Sequence, residues 1–364
     1  MSSLLRIGIV GARRGGAFVE AIHHHPATQL VALCDTNAAR LAASAPAFGS
    51  PATFTDYSAM LEAGLDLVII ATPLQWHVLQ AVEALARGVH VFSEVPAASS
   101  LAQCDELVQA VRHSSARYMM GENCCYMKPH MLVKNMARAG VFGELYYAEG
   151  EYVHYVPELC PPGSWRAEYL LNRRGGTYLT HALGPILEWM DDRVVTVSCV
   201  GTGSWGKPEF TGDNCSVLLC RTAKGALISL RNDLRSPRPF SGYAALQGTK
   251  GAYVPNWDGA QFHRIYLLDP QAPQTEPRWQ PIENFEEAFL PDVWRAAPEN
   301  LTQQAHGGAD GLTLLDFVEA ILHDRPIPID VYRALDITLP GLLSAASAAQ
   351  EGQPIPVPDY RNQA

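Results

Sequence analysis

From Leu5 to about Gly121, short aliphatic runs alternate with stretches whose apolar residues recur at i, i+3 and i+4. The runs are LRIGIV (5–10), QLVALCD (29–35), DLVIIAT (66–72), VHVFSE (89–94) and RYMMGE (117–122). Between them lie the amphipathic stretches WHVLQAVEALARG (76–88) and LAQCDELVQAVRH (101–113). Strands alternating with helices predict a parallel sheet with right-handed crossovers, a doubly wound α/β domain. After Tyr126 the period changes. A helix over 127–139 leads into β-type alternation in ELYYAEGEYVHY (144–155), VVTVSCVGT (194–202), CSVLLCRT (215–222), ALISLRND (226–233) and GYAALQGT (242–249). Strands in succession predict a largely antiparallel, open sheet. Two helical stretches, 311–324 and 331–352, close the chain. The expected organisation is therefore a doubly wound domain over 1–122, an α+β domain over 123–330, and a C-terminal helix and tail over 331–364 that pack back on the first domain.

A length of 364 residues matches two domains, and 48% hydrophobic against 18% charged residues supplies sizeable cores. With 27 basic and 37 acidic residues, a net charge of −10 and no basic block, the chain would repel a phosphate backbone, so no nucleic-acid partner is expected. No apolar run approaches the ~20 residues of a membrane span. The pair Arg13-Arg14 is not followed by the apolar segment of an export signal, so the start reads as cytoplasmic. The eight cysteines lack C-x-x-C or metal-ligand spacing and read as reduced thiols. The run His23-His24-His25 reads as a solvated helix end, and no metal is expected.

The first strand runs into Gly8, Gly11, Gly15 and Gly16 just before the helical AFVEAIHHH. Glycines at this position let a dinucleotide pyrophosphate approach a helix N-terminus. The strict G-x-G-x-x-G pattern is broken, because Arg13 stands at the middle glycine between Gly11 and Gly16. A tight turn without a ligand is the plain alternative. Asp35 shifts the balance: it ends the second strand about 20 residues past the glycines, where a carboxylate accepts ribose hydroxyls and repels a 2′-phosphate. NAD is preferred to NADP, although Arg13 and Arg14 beside the turn keep NADP open.

The segments IGIVG (7–11), Asp35, ATP (71–73) and HVFSEVPAA (90–98), with the two-domain order, resemble the Gfo/Idh/MocA oxidoreductase superfamily. Within it, EVPAA (94–98), MMGENCCY (119–126), FGELYYAEGEYVH (142–154), THALGP (180–185), SPRPFSGYAALQGTKG (236–251) and HGGAD (306–310) are similar to glycoside hydrolase family 109, the NAD-dependent α-N-acetylgalactosaminidases. The resemblance covers nearly the whole chain. It implies an N-terminal Rossmann domain, a C-terminal domain on a largely antiparallel open sheet, a sugar or glycoside substrate, and a homodimer or homotetramer. Two departures from ordinary dehydrogenases of the superfamily are shared with family 109. Those enzymes carry Glu-Lys-Pro where this chain has Glu94-Val95-Pro96, and place Asp and then His one helical turn apart at positions corresponding to His181 and Pro185. Valine cannot assist proton transfer, so the acid–base machinery is rebuilt.

Tyr178 and His181 lie three apart in an expected helix beginning after Gly175-Gly176, and so share a face. His181 titrates near neutrality and is the leading general acid or base, the bland alternative being a packed histidine. Tyr152 and His154 alternate along a strand and face one side. The resemblance places a tyrosine of this stretch in the active site, which carries over to Tyr152. As a base, a phenol of ordinary pKa ~10 requires a nearby positive charge, either the nicotinamide ring or an arginine, with Arg166, Arg173 and Arg174 as candidates. His154, Arg166 and His306 are expected on the substrate side, His306 alternatively as a surface residue. The resemblance also sets a cofactor-lining loop at Thr72, Pro73, Trp76 and His77, with His77 alternatively capping the helix; Glu94, Val95, Pro96 and Asn123 are expected about the cofactor, as is Tyr126, which closes a strand at the edge where open α/β sheets bind ligands, alternatively as a packing aromatic. Three functions are open: redox-neutral glycoside cleavage through hydride transfer at a ring hydroxyl, simple NAD(P)-dependent oxidation of a sugar or cyclitol, and a cofactor-binding paralogue without catalysis.

Overall fold

The computed structural model describes residues 4–256, 262–269 and 278–362. The outer ends of the expected first domain and C-terminal tail lie outside them. The chain divides into two compact units, one of residues 1–126, 296–335 and 360–364, the other of residues 127–295 and 336–359.

In the first unit, among the described residues, β1 (Leu5–Val10), β2 (Thr28–Cys34), β3 (Ala52–Phe54), β4 (Leu67–Ile70), β5 (His90–Ser93) and β6 (Tyr118–Met120) form a six-stranded sheet in the order β3-β2-β1-β4-β5-β6. Every pairing is parallel. The central β4, LVII, is buried along its whole length, as a sheet covered on both faces requires. The order reverses between β1 and β4, so the carboxyl ends of these strands flank a topological switch point, where open α/β sheets bind ligands. Four segments leave that edge: the glycine turn after β1, Thr72–His77 after β4, Glu94–Pro96 after β5 and Asn123 after β6. The Val95–Pro96 peptide is cis.

Residues 296–330, expected in the second domain, belong to this first unit. The helix Ala309–Leu322 buries Leu312, Leu314, Phe317 and Val318, and Phe317 continues an aromatic chain through Phe92 to Phe18, with centroid separations of 6.1 and 5.3 Å. The β6 edge is closed by Met120 N–H donating to Ile329 O at 3.0 Å.

In the second unit, among the described residues, nine strands form a sheet in the order β14-β13-β12-β11-β7-β10-β9-β8-β15. They are β7 (Leu145–Val153), β8 (Val194–Gly201), β9 (Cys215–Thr222), β10 (Leu227–Asp233), β11 (Ala244–Gly248), β12 (Gly251–Val254), β13 (Arg264–Leu267), β14 (Gln280–Pro281) and β15 (Ile355–Pro356). Pairing is antiparallel except between β7 and β10, which run parallel at the centre. One face of β7 packs on the helix Thr180–Met190, and Gly150 is small because a Cβ there would lie 3.0 Å from Ile186. That helix is buried except at His181 and is anchored to the helix Lys128–Arg138 by a Trp189 Nε1–H···O bond of 2.9 Å to His130 and by the Lys134–Glu188 ion pair. The C-terminal tail departs from expectation as well. Residues 336–359 belong to the second unit, where β15 pairs with β8 and Ser344 and Ser347 hydrogen-bond to residues near Gly176 and on β8. No helix among the described residues is long and apolar enough to cross a membrane.

Candidate active site

At the sheet edge of the first unit, Gly11 adopts φ 94°, and a Cβ there would lie 2.4 Å from Ala71 O. Only glycine lets the turn after β1 pass so close to the end of β4. Gly16 approaches Phe48, whereas Gly8 lies within β1, where a Cβ would lie 2.5 Å from Leu65. Gly8 is thus a packing glycine of the strand rather than part of the cofactor turn. Asp35 accepts the N–H groups of Ala12 at 3.1 Å and Asn37 at 2.9 Å, which fixes its buried carboxylate against the turn. Arg40 pairs with the same carboxylate at 3.0 Å. Arg13 is exposed, and the arginine that organises this edge is its neighbour.

Arg14 donates Nε–H to Glu94 at 2.6 Å and both terminal nitrogens to Asp310 at 2.9 Å. Asp310 also accepts from Asn123 Nδ2 at 2.7 Å and meets His306 Nδ1 at 2.9 Å. Burial pushes the Asp310 carboxyl up, but hydrogen bonds from Arg14 and His306 outweigh it and hold it well below the usual carboxylate range. Burial likewise works against the Arg14 charge, yet the two carboxylates carry it above its ordinary value. Glu94, Asn123 and His306 were expected at a site and Arg14 only as a phosphate contact beside the turn; its pairing with Asp310 was not foreseen, and no local pattern joins residues 296 positions apart.

His77 is buried and wedged between two carbonyl oxygens, Nε2 at 2.9 Å from Thr72 and Nδ1 at 3.2 Å from Pro96. It ties the loop after β4 to the loop after β5 and has no surface to offer a ligand. Thr72 donates its hydroxyl to Gln80 at 2.6 Å, Val95 is buried, and Trp76 is exposed. The Tyr126 hydroxyl donates to Asp316 at 2.7 Å on the helix Ala309–Leu322, outside the Arg14 network.

The second unit assembles four of the expected side chains. Tyr152 and His154, on and just beyond the end of β7, have Tyr152 OH 3.3 Å from His154 Nδ1. Tyr178 OH lies 3.3 Å from His181 Nε2, and the Tyr152 ring is 5.4 Å from Tyr178 and 5.2 Å from His181 between centroids. The helix begins at Thr180, so Tyr178 lies in the turn before it rather than on it. That turn is held by Gly175 at φ 79°, whose N–H donates to Asp213 at 2.8 Å, and by Gly176 N–H donating to Ser344 at 2.8 Å. A Cβ on Gly175 would lie 2.4 Å from Ser344 Oγ. Phe240, absent from the expected residues, packs on Tyr152 and His154 at 5.6 and 5.5 Å and is exposed at the rim. Burial, and then the neighbouring His181, lower the His154 pKa below its ordinary value.

The three arginines considered as partners for the tyrosine have aromatic or acidic neighbours of their own. Arg166 lies over Trp165 at 5.1 Å, Arg173 over Tyr169 at 4.7 Å, and Arg174 pairs with Asp213 at 3.6 Å.

Residues 126–216 and 202–364 match the model of the glycosyl hydrolase 109 C-terminal domain. The chain belongs to glycosyl hydrolase family 109. Its residues 5–122 match the oxidoreductase family's NAD-binding Rossmann fold. A family 109 protein of Streptomyces filamentosus is 32% identical over 98% of this chain and 78% of the relative. One of Solibacter usitatus (strain Ellin6076) is 31% identical over 98% and 88%. The fold is that of an oxidoreductase domain protein from Kribbella flavida (TM-score 0.82, 22% identity, 98% of this chain and 100% of that one) and of a levoglucosan dehydrogenase in complex with NADH and levoglucosan (TM-score 0.81, 20% identity, 98% and 100%).

This family 109 chain is an enzyme whose first unit is an NAD-binding Rossmann domain. The residues present fit that cofactor: the turn at Gly11 has no room for a side chain, and Asp35 sets a carboxylate beside it where ribose hydroxyls are recognised.

Proposed function

We propose that the enzyme cleaves a glycoside without net redox change, with NAD held at the turn after β1, the proton transfers made by Tyr152 and His181, and the sugar oriented by Tyr178. NAD, when bound, supplies uptake of a hydride from a ring carbon, carbon 3 in this reading, and its later return. The 3-hydroxyl proton passes to a base of the cluster as the carbon is oxidised. The resulting ketone acidifies the neighbouring carbon-2 proton, which a second base removes. The carbon-1 substituent then leaves, and water adds to the enone. His181 and Tyr152 share these transfers, and Tyr178 orients the sugar through its contact with His181.

The observation that carries this reading is the meeting of Tyr152, Tyr178, His154 and His181 in one cluster, because removing one proton from the 3-hydroxyl and another from carbon 2 calls for more than one titratable group. Val95 supports it: a buried valine stands where ordinary dehydrogenases of the superfamily carry the lysine that assists at the reacting hydroxyl. The test is release of nitrophenol from a panel of α- and β-nitrophenyl glycosides, N-acetylgalactosaminides included, with NADH absorbance followed in the same cuvette. Many nitrophenol equivalents per NAD with no net NADH are expected. Stoichiometric NADH without aglycone release would make the protein a sugar dehydrogenase instead.

A further inference from the structure

Asp310 satisfies four donors at once. Its Oδ1 takes Arg14 Nη2 and Asn123 Nδ2, and its Oδ2 takes Arg14 Nη1 and His306 Nδ1. The carboxylate is only 3% exposed, so it is built in rather than solvated. The geometry has a consequence for His306. An ionised carboxylate carries no hydrogen, so the imidazole nitrogen facing it must be the N–H. In the neutral ring the lone pair then lies on Nε2.

The backbone enforces the same presentation. His306 has φ 57°, a conformation unusual for a residue with a side chain, and it begins three consecutive positive-φ residues with Gly307 at 63° and Gly308 at 83°. The second glycine is required, since a Cβ on Gly308 would lie 2.6 Å from Leu301 O. Strain of this kind persists only where the surroundings over-determine it, and it concentrates at ligand-binding positions. The His306 side chain is 49% exposed while its partner carboxylate is buried, so the imidazole is half open to a ligand and fixed from behind.

We infer that Asp310 is a positioning residue that holds His306 as the Nδ1–H tautomer, presenting Nε2 as an acceptor for a sugar hydroxyl. The same carboxylate fixes Arg14 beside the glycine turn, so one anchor sets both the cofactor turn and the sugar-contacting histidine. This rests on the glycoside reading above for the identity of the ligand, but the tautomer itself does not.

Two measurements on the full chain test it. The first is the 15N spectrum of protein labelled at histidine, with His306 assigned by its loss in His306→Gln. The wild type is expected to show Nδ1 protonated and Nε2 unprotonated. In Asp310→Asn a single carbonyl oxygen faces four donors, and that preference is expected to be lost. Nε2 protonated in the wild type, or an unchanged pattern in Asp310→Asn, overturns the assignment. The second compares His306→Gln, whose amide reaches the Nε2 position, with His306→Asn, which reaches only Nδ1. Turnover of the reacting glycoside is expected to show KM raised about tenfold or more in His306→Asn and Asp310→Asn, with kcat held within about threefold and partial recovery in His306→Gln. Equal KM in wild type and His306→Asn overturns the sugar contact. Absence of glycoside turnover in the wild type would count against the proposed function alone, because the nitrogen spectrum still decides the tautomer.

Discussion

The edge of the first unit and the cluster of the second solve different problems with different chemistry. Around Arg14 every strong charge is matched: one guanidinium, two carboxylates and an amide meet at 2.6–2.9 Å. Around His181 phenols meet imidazoles at 3.3 Å, with ring centroids 5.0–5.8 Å apart. A buried ion-pair network has one favourable protonation state and resists change, because removing a partner strands a charge. A phenol–imidazole group has several protonation states of similar energy and moves a proton without breaking an ion pair. The first arrangement suits a place that must hold its shape, and the second suits a place that must exchange protons.

The strongest way to break this contrast is His181→Ala. Turnover is expected to fall by about 10²–10⁴, the range for a lost acid–base group, with NAD binding measured by calorimetry unchanged. Equal turnover in the variant would deny the second cluster its role. Arg14→Ala should act on the opposite property. It leaves the 3%-exposed Asp310 carboxylate without its guanidinium, and urea unfolding should show a loss of about 3 kcal/mol, whereas His181→Ala should cost far less. Gly11→Ala sharpens the description of the turn: its Cβ would meet Ala71 O, so a loss of about 1–3 kcal/mol and weaker NAD binding are expected. Gly64→Ala is the control, with φ 73° but open space around the added methyl, and should show only the smaller backbone cost.

The smallest effect is a pH dependence. Burial lowers the pKa of His77 and His154 in the folded chain. Below their ordinary value of 6.5 the unfolded chain therefore binds more protons, so stability is full above that pH and declines as pH falls through the folded values. Unfolding midpoints measured from pH 7.5 downward should show this decline, and a flatter slope is expected in His77→Asn, whatever its stability at pH 7.5. An unchanged slope would remove His77 from the account.

Five of the first unit's strands announce themselves as aliphatic runs. Local periodicity likewise reveals that Tyr152 and His154 share a side, because alternation along a strand leaves no other arrangement. The spacing of Tyr178 and His181 pointed to a shared helix face, yet the contact arises from a turn held by Asp213 and Ser344. The three-residue β3 and the two-residue β15 are too short to carry a period, and pairing with β2 and β8 makes them strands.

By itself the sequence determined the parallel first sheet, the change of period after Tyr126, the glycine turn with Asp35, and the tyrosines and histidines of the second cluster. These follow from spacings of a few residues, where backbone geometry dictates which side chains meet. Tertiary structure alone decided that the helix Ala309–Leu322 joins the first unit, that residues 336–359 join the second, and that Arg14 rather than Arg13 organises the edge through Asp310. An apolar helix face fits many surfaces and a carboxylate fits many cations. Which one each finds depends on the packing of distant segments.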